Sequence, residues 1–288
     1  MPDTQAESSS SPAARKEADE HRFASHYGSW ALIAGASEGL GEAFARALSD
    51  KGVNLVLVAR RKGPLDALAE ELRTGSKVEV RCLDGDLASG SFLERLWTEC
   101  NSLDLGVVVC NAAQAPIGDF FTREVGDLNR VVDVNVRAPL LLLRGLLPGM
   151  VTRGRGAVIL MTSFTGHLGT PRIAAYAASK AFLRVLGESL WHELKDKGVD
   201  VLACSCGAVR TPGYISAADN DPPGTLEPEQ VVKQALRALG TGPVVMPGFI
   251  NRLATCMVTR LLPKRAAIVL LAGSTKRLAR VKDTRSVQ

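Results

Sequence analysis

Tyr176 and Lys180 lie four residues apart in a stretch with strong helical character. Residues at i and i+4 share one face of a helix, so the phenol and the ammonium group would be neighbours. A phenol with its ordinary pKa of about 10 is a poor proton donor or base at neutral pH, and a nearby positive charge stabilises its ionised form. We therefore expect Lys180 to lower the pKa of Tyr176 toward the range that is useful for proton transfer.

Ser163 supplies a third polar group thirteen residues before Tyr176, just after the predicted strand 156–161. Active sites of open α/β sheets gather at the carboxyl ends of the strands. A Tyr and a Lys at this spacing also occur on exposed helices that do no chemistry. The position of Ser163 favours the interpretation that all three residues belong to one catalytic group.

A glycine turn follows the predicted strand 30–34 and precedes the predicted helix 40–51. Its glycines are Gly35, Gly39 and Gly41, in the spacing G-x3-G-x-G. Glycine allows a tight turn and a close approach of the backbone to a pyrophosphate, which the N-terminal N–H groups of the helix then bind. A purely structural turn is the alternative, and the position after the first strand favours a dinucleotide site.

The end of the next predicted strand, 53–58, indicates which dinucleotide is bound. An acid there accepts hydrogen bonds from a free ribose 2′-hydroxyl, whereas an Arg accommodates a 2′-phosphate. Ala59 stands where the acid would be expected, and Arg60, Arg61 and Lys62 follow it. NADP(H) is therefore favoured over NAD(H), with Arg60 as the contact. For Arg61 and Lys62, a solvated charge run at the strand end is the alternative.

Short runs of aliphatic and β-branched residues alternate with helical patterns from Trp30 onward. Several runs are apolar throughout, which is typical of strands buried on both faces of a parallel sheet. The pattern predicts an α/β fold with a single doubly wound domain, in which about seven parallel strands are flanked by helices on both faces. The other predicted strands are 77–82, 106–110, 199–205 and 243–246. The other predicted helices are 64–73, 90–101, 123–153 with a break around Asn135, 174–197, 227–239, 249–261 and 264–279.

The composition excludes several classes of protein. The 288 residues are 46% hydrophobic, too many for a disordered chain, and no apolar run reaches the roughly 20 residues of a membrane span. Six cysteines show no disulfide or zinc spacing, which favours the cytoplasm, and Cys204 and Cys206 are expected to pack on one face of a strand. Residues 1–26 lack the apolar segment of a signal peptide and are expected to form a disordered polar tail before a catalytic domain at 27–250.

The formal charge of +5 is unevenly distributed along the chain. Residues 1–27 carry three bases and five acids, a net charge of −2, and residues 252–288 carry nine bases and one acid, a net charge of +8. The body between them is nearly neutral, which argues against a nucleic-acid partner. Residues 251–288 are predicted to form a basic amphipathic helical extension. It either lies on an anionic membrane or packs over the substrate pocket with its charges in water.

Seven motifs occur in the order and at the spacing of a known family. They are Gly35 to Gly41, Asp86 with Leu87, Asn111 to Ala113, Asn135, Ser163, Tyr176 to Lys180, and Gly207 to Thr211. On these residues the chain resembles the short-chain dehydrogenase/reductase family over nearly all of residues 28–247. The resemblance implies a Rossmann-like fold and a homodimer or homotetramer formed partly through the helix 174–197. Three positions depart from the family pattern without touching the reacting atoms: Ala34, Gln114 and Cys206.

The resemblance also implies a role for each site residue. Tyr176 would be the acid/base, Lys180 would hold the nicotinamide ribose and lower the pKa of Tyr176, and Ser163 would polarise the substrate carbonyl. Asn135 would anchor a water that feeds a proton relay. The cofactor would contact Gly35, Ser37, Glu38, Gly39, Leu40, Gly41, Arg60, Asp86, Leu87, Asn111, Tyr176, Lys180 and Thr211. Of these, Asp86 and Leu87 would lie at the adenine, Asn111 would stabilise the strand edge, and Thr211 would bind the carboxamide.

These features predict the NADPH-dependent reduction of a ketone or aldehyde, with no metal ion and with Tyr176 as the proton donor. An alcohol dehydrogenase working in the oxidative direction and a non-catalytic NADP-sensing regulator are the alternatives. Segments 114–121, 164–172 and 212–228 are expected to cap the substrate site. Their apolar residues favour a hydrophobic or lipid-like substrate: Phe120, Phe164, Leu168, Tyr214 and Ile215. His167 and Arg172 could contact the substrate, although structural or solvated roles are favoured for both.

Overall fold

The computed structural model describes residues 22–218 and 220–273. The predicted disordered tail therefore lies mostly outside the described residues, and so does the end of the predicted helix 264–279. Residues 22–27 are helical. Tyr27, at the end of this segment, is buried, and its hydroxyl donates a hydrogen bond to Asp200 at 2.8 Å. The packed body of the protein therefore begins at or before Tyr27.

Seven parallel strands form one sheet in the order β3-β2-β1-β4-β5-β6-β7. This confirms the predicted fold class. Strand β3 begins at Val80 rather than at residue 77, because its first pairing with β2 is between Val80 and Leu55. The strands are β1 Trp30–Ala34, β2 Asn54–Ala59, β3 Val80–Asp84, β4 Leu105–Cys110, β5 Gly156–Ser163, β6 Val199–Cys206 and β7 Val244–Val245.

Helices cover both faces of the sheet and enclose two buried clusters. On one face α1, α2 and α8 contribute residues such as Phe44, Leu65 and Val231, and on the other face α3, α5 and α6 contribute residues such as Leu96, Leu142 and Leu183. The apolar residues of the predicted helix 174–197 also pack in the second cluster: Phe182, Leu183, Leu186, Leu190, Trp191 and Leu194. The helices are α1 Gly39–Ser49, α2 Lys62–Gly75, α3 Gly90–Asn101, α4 Val125–Val132, α5 Ala138–Arg153, α6 Ala174–Leu194, α7 Pro212–Ile215, α8 Pro228–Ala238 and α9 Phe249–Cys256.

The predicted break around Asn135 is a π-helical turn, Asp133–Arg137, which joins α4 to α5. The continuous helix Val125–Arg153 is long and apolar enough to span a membrane by length and composition. Its residues Leu142, Leu146 and Met150 are nevertheless buried in the same cluster as the strands β4 and β5. The core helix of a globular domain has the same apolar composition and the same burial against the sheet.

Two neighbouring strands bring the predicted site residues together. The strand order reverses between β1 and β4, and open α/β sheets bind ligands in the crevice at the carboxyl ends of such strands. After β4, the N–H groups of Asn111 and Ala112 both donate to the carbonyl of Ala34, at 3.1 and 2.7 Å. The glycine turn after β1 and the polar segment after β4 therefore lie side by side.

The chain ends in two helical segments beyond the sheet. Helix α9 continues into a π-helical turn, Met257–Leu261, which confirms the predicted helix 249–261. After Pro263 the chain is helical again over residues 264–273. In this last segment Ala267 and Leu271 are buried, whereas Val269 and Leu270 are exposed.

Candidate active site

A cleft of about 440 Å³ opens at the carboxyl ends of the strands. Two predicted site residues do not line it: Gly41, the last glycine of the turn, is packed against Gly35, and Asn135 is fully buried. The cleft thus joins the glycine turn to the predicted catalytic group. The other predicted residues all line it: Gly35, Ser37, Glu38, Gly39, Leu40, Arg60, Asp86, Leu87, Asn111, Ser163, Tyr176, Lys180 and Thr211.

The glycine turn has no room for side chains. Gly35 and Gly39 have φ angles of +88° and +59°, which favour glycine. A Cβ on Gly41 would lie 1.9 Å from the carbonyl oxygen of Gly35, and a Cβ on Gly35 would lie 2.8 Å from the backbone of Ala112. The turn therefore presents bare backbone and the start of α1 to the cleft, an arrangement that fits the pyrophosphate of a dinucleotide.

Asn111 fixes this turn from the neighbouring strand. Its side-chain amide donates a hydrogen bond to the carbonyl of Gly35 at 2.8 Å. The predicted position of Asn111 at the strand edge thus corresponds to a specific contact, made across 76 residues of sequence. This contact couples the shape of the glycine turn to the end of β4.

The basic residues after β2 divide between the cleft and the surface. Arg61 forms an ion pair with Glu38 at 2.6 Å and donates a longer hydrogen bond to the hydroxyl of Ser37, at 3.4 Å. Lys62 instead pairs with Asp66 on α2, at 3.0 Å, away from the cleft. Arg60 and Arg61 both line the cleft. The sequence predicted only Arg60 as a cofactor contact, and nothing in the spacing of the residues indicated that Arg61 lies beside the glycine turn.

Asp86 has a partner that the sequence did not indicate. Both of its carboxylate oxygens accept hydrogen bonds from Arg130 of α4, at 2.5 and 2.9 Å. Burial alone would raise the pKa of Asp86, but the hydrogen bonds from Arg130 and from the N–H of Ala88 hold it below its ordinary value. Asp86 is therefore a carboxylate at neutral pH, and Arg130 fixes its orientation on the cleft wall.

Ser163, Tyr176 and Lys180 meet at the other end of the cleft, where β5 faces the start of α6. All three side chains line the cleft, and the hydroxyl of Ser163 acts on Tyr176 in the direction that lowers its pKa. The hydroxyl of Ser163 also accepts hydrogen bonds from the N–H and the hydroxyl of Thr165, at 3.3 and 3.0 Å. Lys180 donates to the carbonyl of Met161 at 2.8 Å, and its Nζ lies 5.5 Å from the centre of the Tyr176 ring.

Burial controls the ionisation of Tyr176 and Lys180. Tyr176 is half-buried where it lines the cleft, and Lys180 is only 3% exposed. Loss of hydration raises the pKa of Tyr176 to about 12, against the opposing effect of the Ser163 hydroxyl, and lowers the pKa of Lys180 to about 8. The prediction of a lowered Tyr176 pKa is therefore wrong in this structure, because desolvation of the phenol is the largest influence on it.

Asn135 is buried beside the cleft and is hydrogen-bonded to residues on two different elements of the site. Its amide accepts a hydrogen bond from the N–H of Gln114 at 2.7 Å and donates to the carbonyl of the same residue at 2.9 Å. It also donates to the hydroxyl of Ser179 at 3.0 Å, and Ser179 donates to the carbonyl of Tyr176 at 2.7 Å. The predicted water relay through Asn135 stays a prediction. The observed contacts tie the segment after β4 to the first turn of α6.

A comparison with protein families agrees with this arrangement. The model of the short chain dehydrogenase family matches residues 29–221, which include every residue predicted for the site. The chain belongs to the short-chain dehydrogenase family. It is 32% identical over 233 residues to a 7β-hydroxysteroid dehydrogenase of Clostridium sardiniense, a match that covers 80% of this chain and 89% of that protein.

Two further comparisons extend this result. This short-chain dehydrogenase is 39% identical over 180 residues to a very-long-chain 3-oxoacyl-CoA reductase of Neurospora crassa, covering 60% of this chain and 54% of the reductase. The structure of a short-chain dehydrogenase from Sphingobium yanoikuyae in complex with NADPH matches with a TM-score of 0.72 and 31% identity, covering 80% of this chain and 93% of that one. The protein is thus an NAD(P)-dependent oxidoreductase that acts on CH–OH and C=O groups.

The loops that were expected to cap the substrate end of this short-chain dehydrogenase are linked to one another. The N–H of Gly118 donates to the carbonyl of Arg172 at 2.9 Å, and Arg172 lies 3.5 Å from Asp119. Of the five apolar residues predicted for the pocket only Tyr214 lines the cleft, and Phe120 and Ile215 are 59% and 56% exposed. The apolar pocket predicted from these five residues is therefore only partly present.

Two side chains near the substrate end have structural contacts. His167 lies 3.0 Å from the hydroxyl of the fully buried Ser205, which connects the loop after Ser163 to β6. Cys206 lines the cleft, and its sulfur lies 3.8 Å from that of Cys204, so the two thiols share one face of β6 as predicted. Within the described parts of the chain, no group of three or more His, Cys, Asp or Glu side chains is arranged to hold a metal ion.

Proposed function

We propose that this enzyme uses NADPH to reduce a hydrophobic ketone or aldehyde to the alcohol. The observation that carries the proposal is the grouping of Ser163, Tyr176 and Lys180 in the same cleft as the glycine turn, Arg60 and Arg61, with the Lys180 ammonium 5.5 Å from the centre of the Tyr176 ring. Carbonyl reduction by a nicotinamide dinucleotide requires a binding site for the cofactor's phosphates and a proton donor at the other end of the same cleft. The described residues offer both.

The glycine turn and the basic residues after β2 would hold the cofactor. The side-chain-free backbone of Gly35 and Gly39 would receive the pyrophosphate, with Gly41 packed against Gly35, and Arg60 and Arg61 would receive a ribose 2′-phosphate. No carboxylate follows β2 at Ala59, which supports NADP(H) over NAD(H). Asp86, Leu87, Asn111 and Thr211 complete the proposed cofactor wall. When bound, NADPH supplies the hydride that adds to the carbonyl carbon.

Tyr176 donates the proton in the proposed reaction. With a pKa of about 12, its hydroxyl keeps its proton at neutral pH and releases it only when negative charge develops on the substrate oxygen. Ser163 is the second hydrogen-bond donor to that oxygen. The ammonium of Lys180, 5.5 Å from the Tyr176 ring centre, stabilises the negative charge that develops on the phenolate as the proton leaves. Asn135 positions Gln114 and Ser179 around this group.

A hydrophobic substrate is supported by residues on the cleft wall and by the relatives. Met161, Ala112, Ala113 and Tyr214 line the cleft. The relatives are named for a hydroxysteroid and for a very-long-chain 3-oxoacyl-CoA. Both are substrates with large apolar parts. A lipid-like or polycyclic ketone is therefore the class of substrate that we propose.

We also propose how the chain is divided into regions, how it assembles and where it is located in the cell. We propose three regions: a polar tail at 1–26, a catalytic domain at 27–250 and a basic extension at 251–288. A homodimer or homotetramer would form through α5 and α6, where Leu140 and Val185 are exposed. The protein would be cytoplasmic and would touch membranes peripherally through residues 252–288.

Replacement of Tyr176 by Phe tests the proposed function. This change removes one hydroxyl and keeps the ring, so NADPH binding should stay within about twofold while turnover falls by a factor of at least about 100. The assay would follow NADPH oxidation over a panel of steroid, aliphatic and aromatic ketones, and fluorescence titration would give NADPH affinity. An active Tyr176→Phe protein, or a wild-type protein that binds NADPH and reduces no carbonyl compound, would contradict the proposal.

A further inference from the structure

A stripe of large apolar side chains runs along the surface of α9 and its π-helical turn. Its members are Phe249, Leu253, Met257 and Leu261, which are 72%, 59%, 46% and 73% exposed. They recur every four residues, and the wider π-helical turn at the end keeps the last of them on the same side. We call these four residues the apolar stripe.

The opposite side of the same helix is buried. Asn251 and Val258 are 9% and 5% exposed and face the body of the protein. The orientation of the helix is therefore fixed, and its apolar stripe is directed to solvent rather than to the core. Monomeric soluble proteins rarely expose contiguous apolar surface of this kind unless it binds something.

Positive charge accompanies the apolar stripe. Arg252 and Arg260 are exposed on the helix beside it, and the exposed Lys264 and Arg265 follow after Pro263. The sequence contains no acid between Glu229 and Asp283. The helical segments from Phe249 to residue 273 thus carry bases and no acids beside their exposed apolar side chains, which is the pattern of a helix that lies in the interface of an anionic bilayer.

This charge pattern separates the candidate partners. A second copy of the chain docked on the same face would bring two sets of four bases together, because a two-fold interface pairs each patch with itself. An anionic lipid surface neutralises the bases and accepts the apolar side chains between its headgroups. We propose that the apolar stripe and its neighbouring bases dock this enzyme on an anionic lipid bilayer.

The docking face is joined to the rim of the active site. Asn251, on the buried side of α9, donates hydrogen bonds to the carbonyls of Gly224 and Pro247 at 3.0 and 2.9 Å. Gly224 belongs to the loop expected to cap the substrate. A Cβ on the cleft residue Gly207 would lie 2.7 Å from the Asn251 amide, so α9 is packed against the cleft wall itself.

The following helical segment also contacts a substrate loop. A Cβ built on Gly169 would meet Ile268 at 3.9 Å, which places residues 264–273 against the loop that follows Ser163. Docking through the apolar stripe would therefore hold this rim of the cleft near the lipid surface. This consequence rests on the proposed function: a lipid-like ketone could then pass from the bilayer to the cleft without crossing bulk water.

Sedimentation of the full-length protein with vesicles tests the docking. The protein should sediment with vesicles of equal parts phosphatidylglycerol and phosphatidylcholine. It should stay in solution with phosphatidylcholine alone, and it should be released at about 1 M NaCl, where the Debye length is about 3 Å. The variant Phe249→Ser/Leu253→Ser/Leu261→Ser should bind the anionic vesicles at least about tenfold more weakly.

Charge variants separate electrostatic from apolar contributions. Arg252→Gln/Arg260→Gln should also lose at least about tenfold in anionic vesicle binding, since each base near such a surface contributes. The matched control is Lys233→Gln/Arg237→Gln on α8, which removes two exposed bases elsewhere and should leave vesicle binding unchanged. Thermal unfolding would establish that each variant is folded, and neither readout depends on turnover.

Three outcomes would overturn the proposal. The first is failure of the wild-type protein to bind anionic vesicles. The second is equal binding to neutral and anionic vesicles. The third is a change of oligomeric state, measured by light scattering, in the serine variant without any change in vesicle binding, because the occupant of the apolar stripe would then be a second copy of the chain.

Discussion

The side-chain amide of Asn135 pairs with both backbone groups of Gln114, at 2.7 and 2.9 Å, across 21 residues of sequence. This geometry needs both the oxygen and the nitrogen of an amide. A second hydrogen of the same nitrogen is used by Ser179. Asn135 has no exposed surface, so water cannot replace any of these partners.

Replacing Asn135 by Asp therefore has a large predicted effect. The change removes both donated hydrogen bonds and places a carboxylate beside the carbonyl of Gln114. We expect the free energy of unfolding to fall by about 3 kcal/mol or more, measured by urea denaturation, and turnover to fall with it. Asn129→Asp, at an exposed position of α4, is the matched control and should change stability by less than about 0.5 kcal/mol. Equal stability of the two variants would contradict a structural role for Asn135.

Cofactor preference should depend on Arg60 and not on Lys62. Arg60 lines the cleft, whereas Lys62 pairs with Asp66 on the outer surface of α2. Arg60→Ala should raise the KM for NADPH by about tenfold, which corresponds to about 1.4 kcal/mol, and should leave the KM for NADH nearly unchanged. Lys62→Ala should alter neither value. Parallel increases for both cofactors in Arg60→Ala would mean that this residue does not contact a 2′-phosphate.

The sequence alone predicted those parts of the protein whose structure follows from a local pattern of residues. Strands such as β1 and β4 are buried along their whole length, so uniform apolarity identified them, and the glycine turn was recognisable because every glycine in it is sterically required. The break near Asn135 was also predicted, and it is a π-helical turn. These features depend on neighbours in sequence or on the period of a helix or strand.

The contacts that shape the site depend on residues far apart in sequence. Arg130 reaches Asp86 across 44 residues, and Arg61 reaches Glu38 between two different loops. No local pattern indicates such partners. The predicted direction of the shift in the Tyr176 pKa was wrong for a related reason. The spacing of Tyr176 and Lys180 shows that the phenol and the ammonium are close, but only the packed structure shows how strongly both groups are desolvated.

His167 should make stability depend on pH. Burial and the nearby Arg184 lower the pKa of His167 below its ordinary value. A lowered pKa in the folded state means that the unfolded chain binds the proton more readily, so stability is complete above an ordinary pKa of about 6.5 and decreases as the pH falls below it. His167→Gln, which cannot ionise, should show a shallower loss of unfolding free energy between about pH 7 and pH 5. The same change at the exposed His192 serves as the control, and a wild-type slope for His167→Gln would refute the assignment.

Two glycine-to-alanine substitutions, one in the glycine turn and one on α2, are expected to change stability in opposite directions. In Gly41→Ala the new methyl group would lie 1.9 Å from the carbonyl oxygen of Gly35, so the turn or α1 must move. Overpacking of this kind costs about 1–3 kcal/mol, and the displaced backbone should no longer bind the cofactor. In Gly63→Ala the methyl group meets nothing within 4 Å, on the first turn of α2. This change should stabilise the protein by about 0.5 kcal/mol, because alanine loses less backbone entropy than glycine on folding.

Urea denaturation and NADPH fluorescence titration would measure both variants. We expect Gly41→Ala to lose stability and at least about tenfold in NADPH affinity, and Gly63→Ala to gain stability with unchanged affinity. The comparison isolates the position of the methyl group, since both variants make the same chemical change. If Gly41→Ala bound NADPH as tightly as the wild-type protein, the cofactor could not depend on the close approach of Gly41 to Gly35. The glycine turn would then be a packing feature of β1 and α1 and not the phosphate cradle.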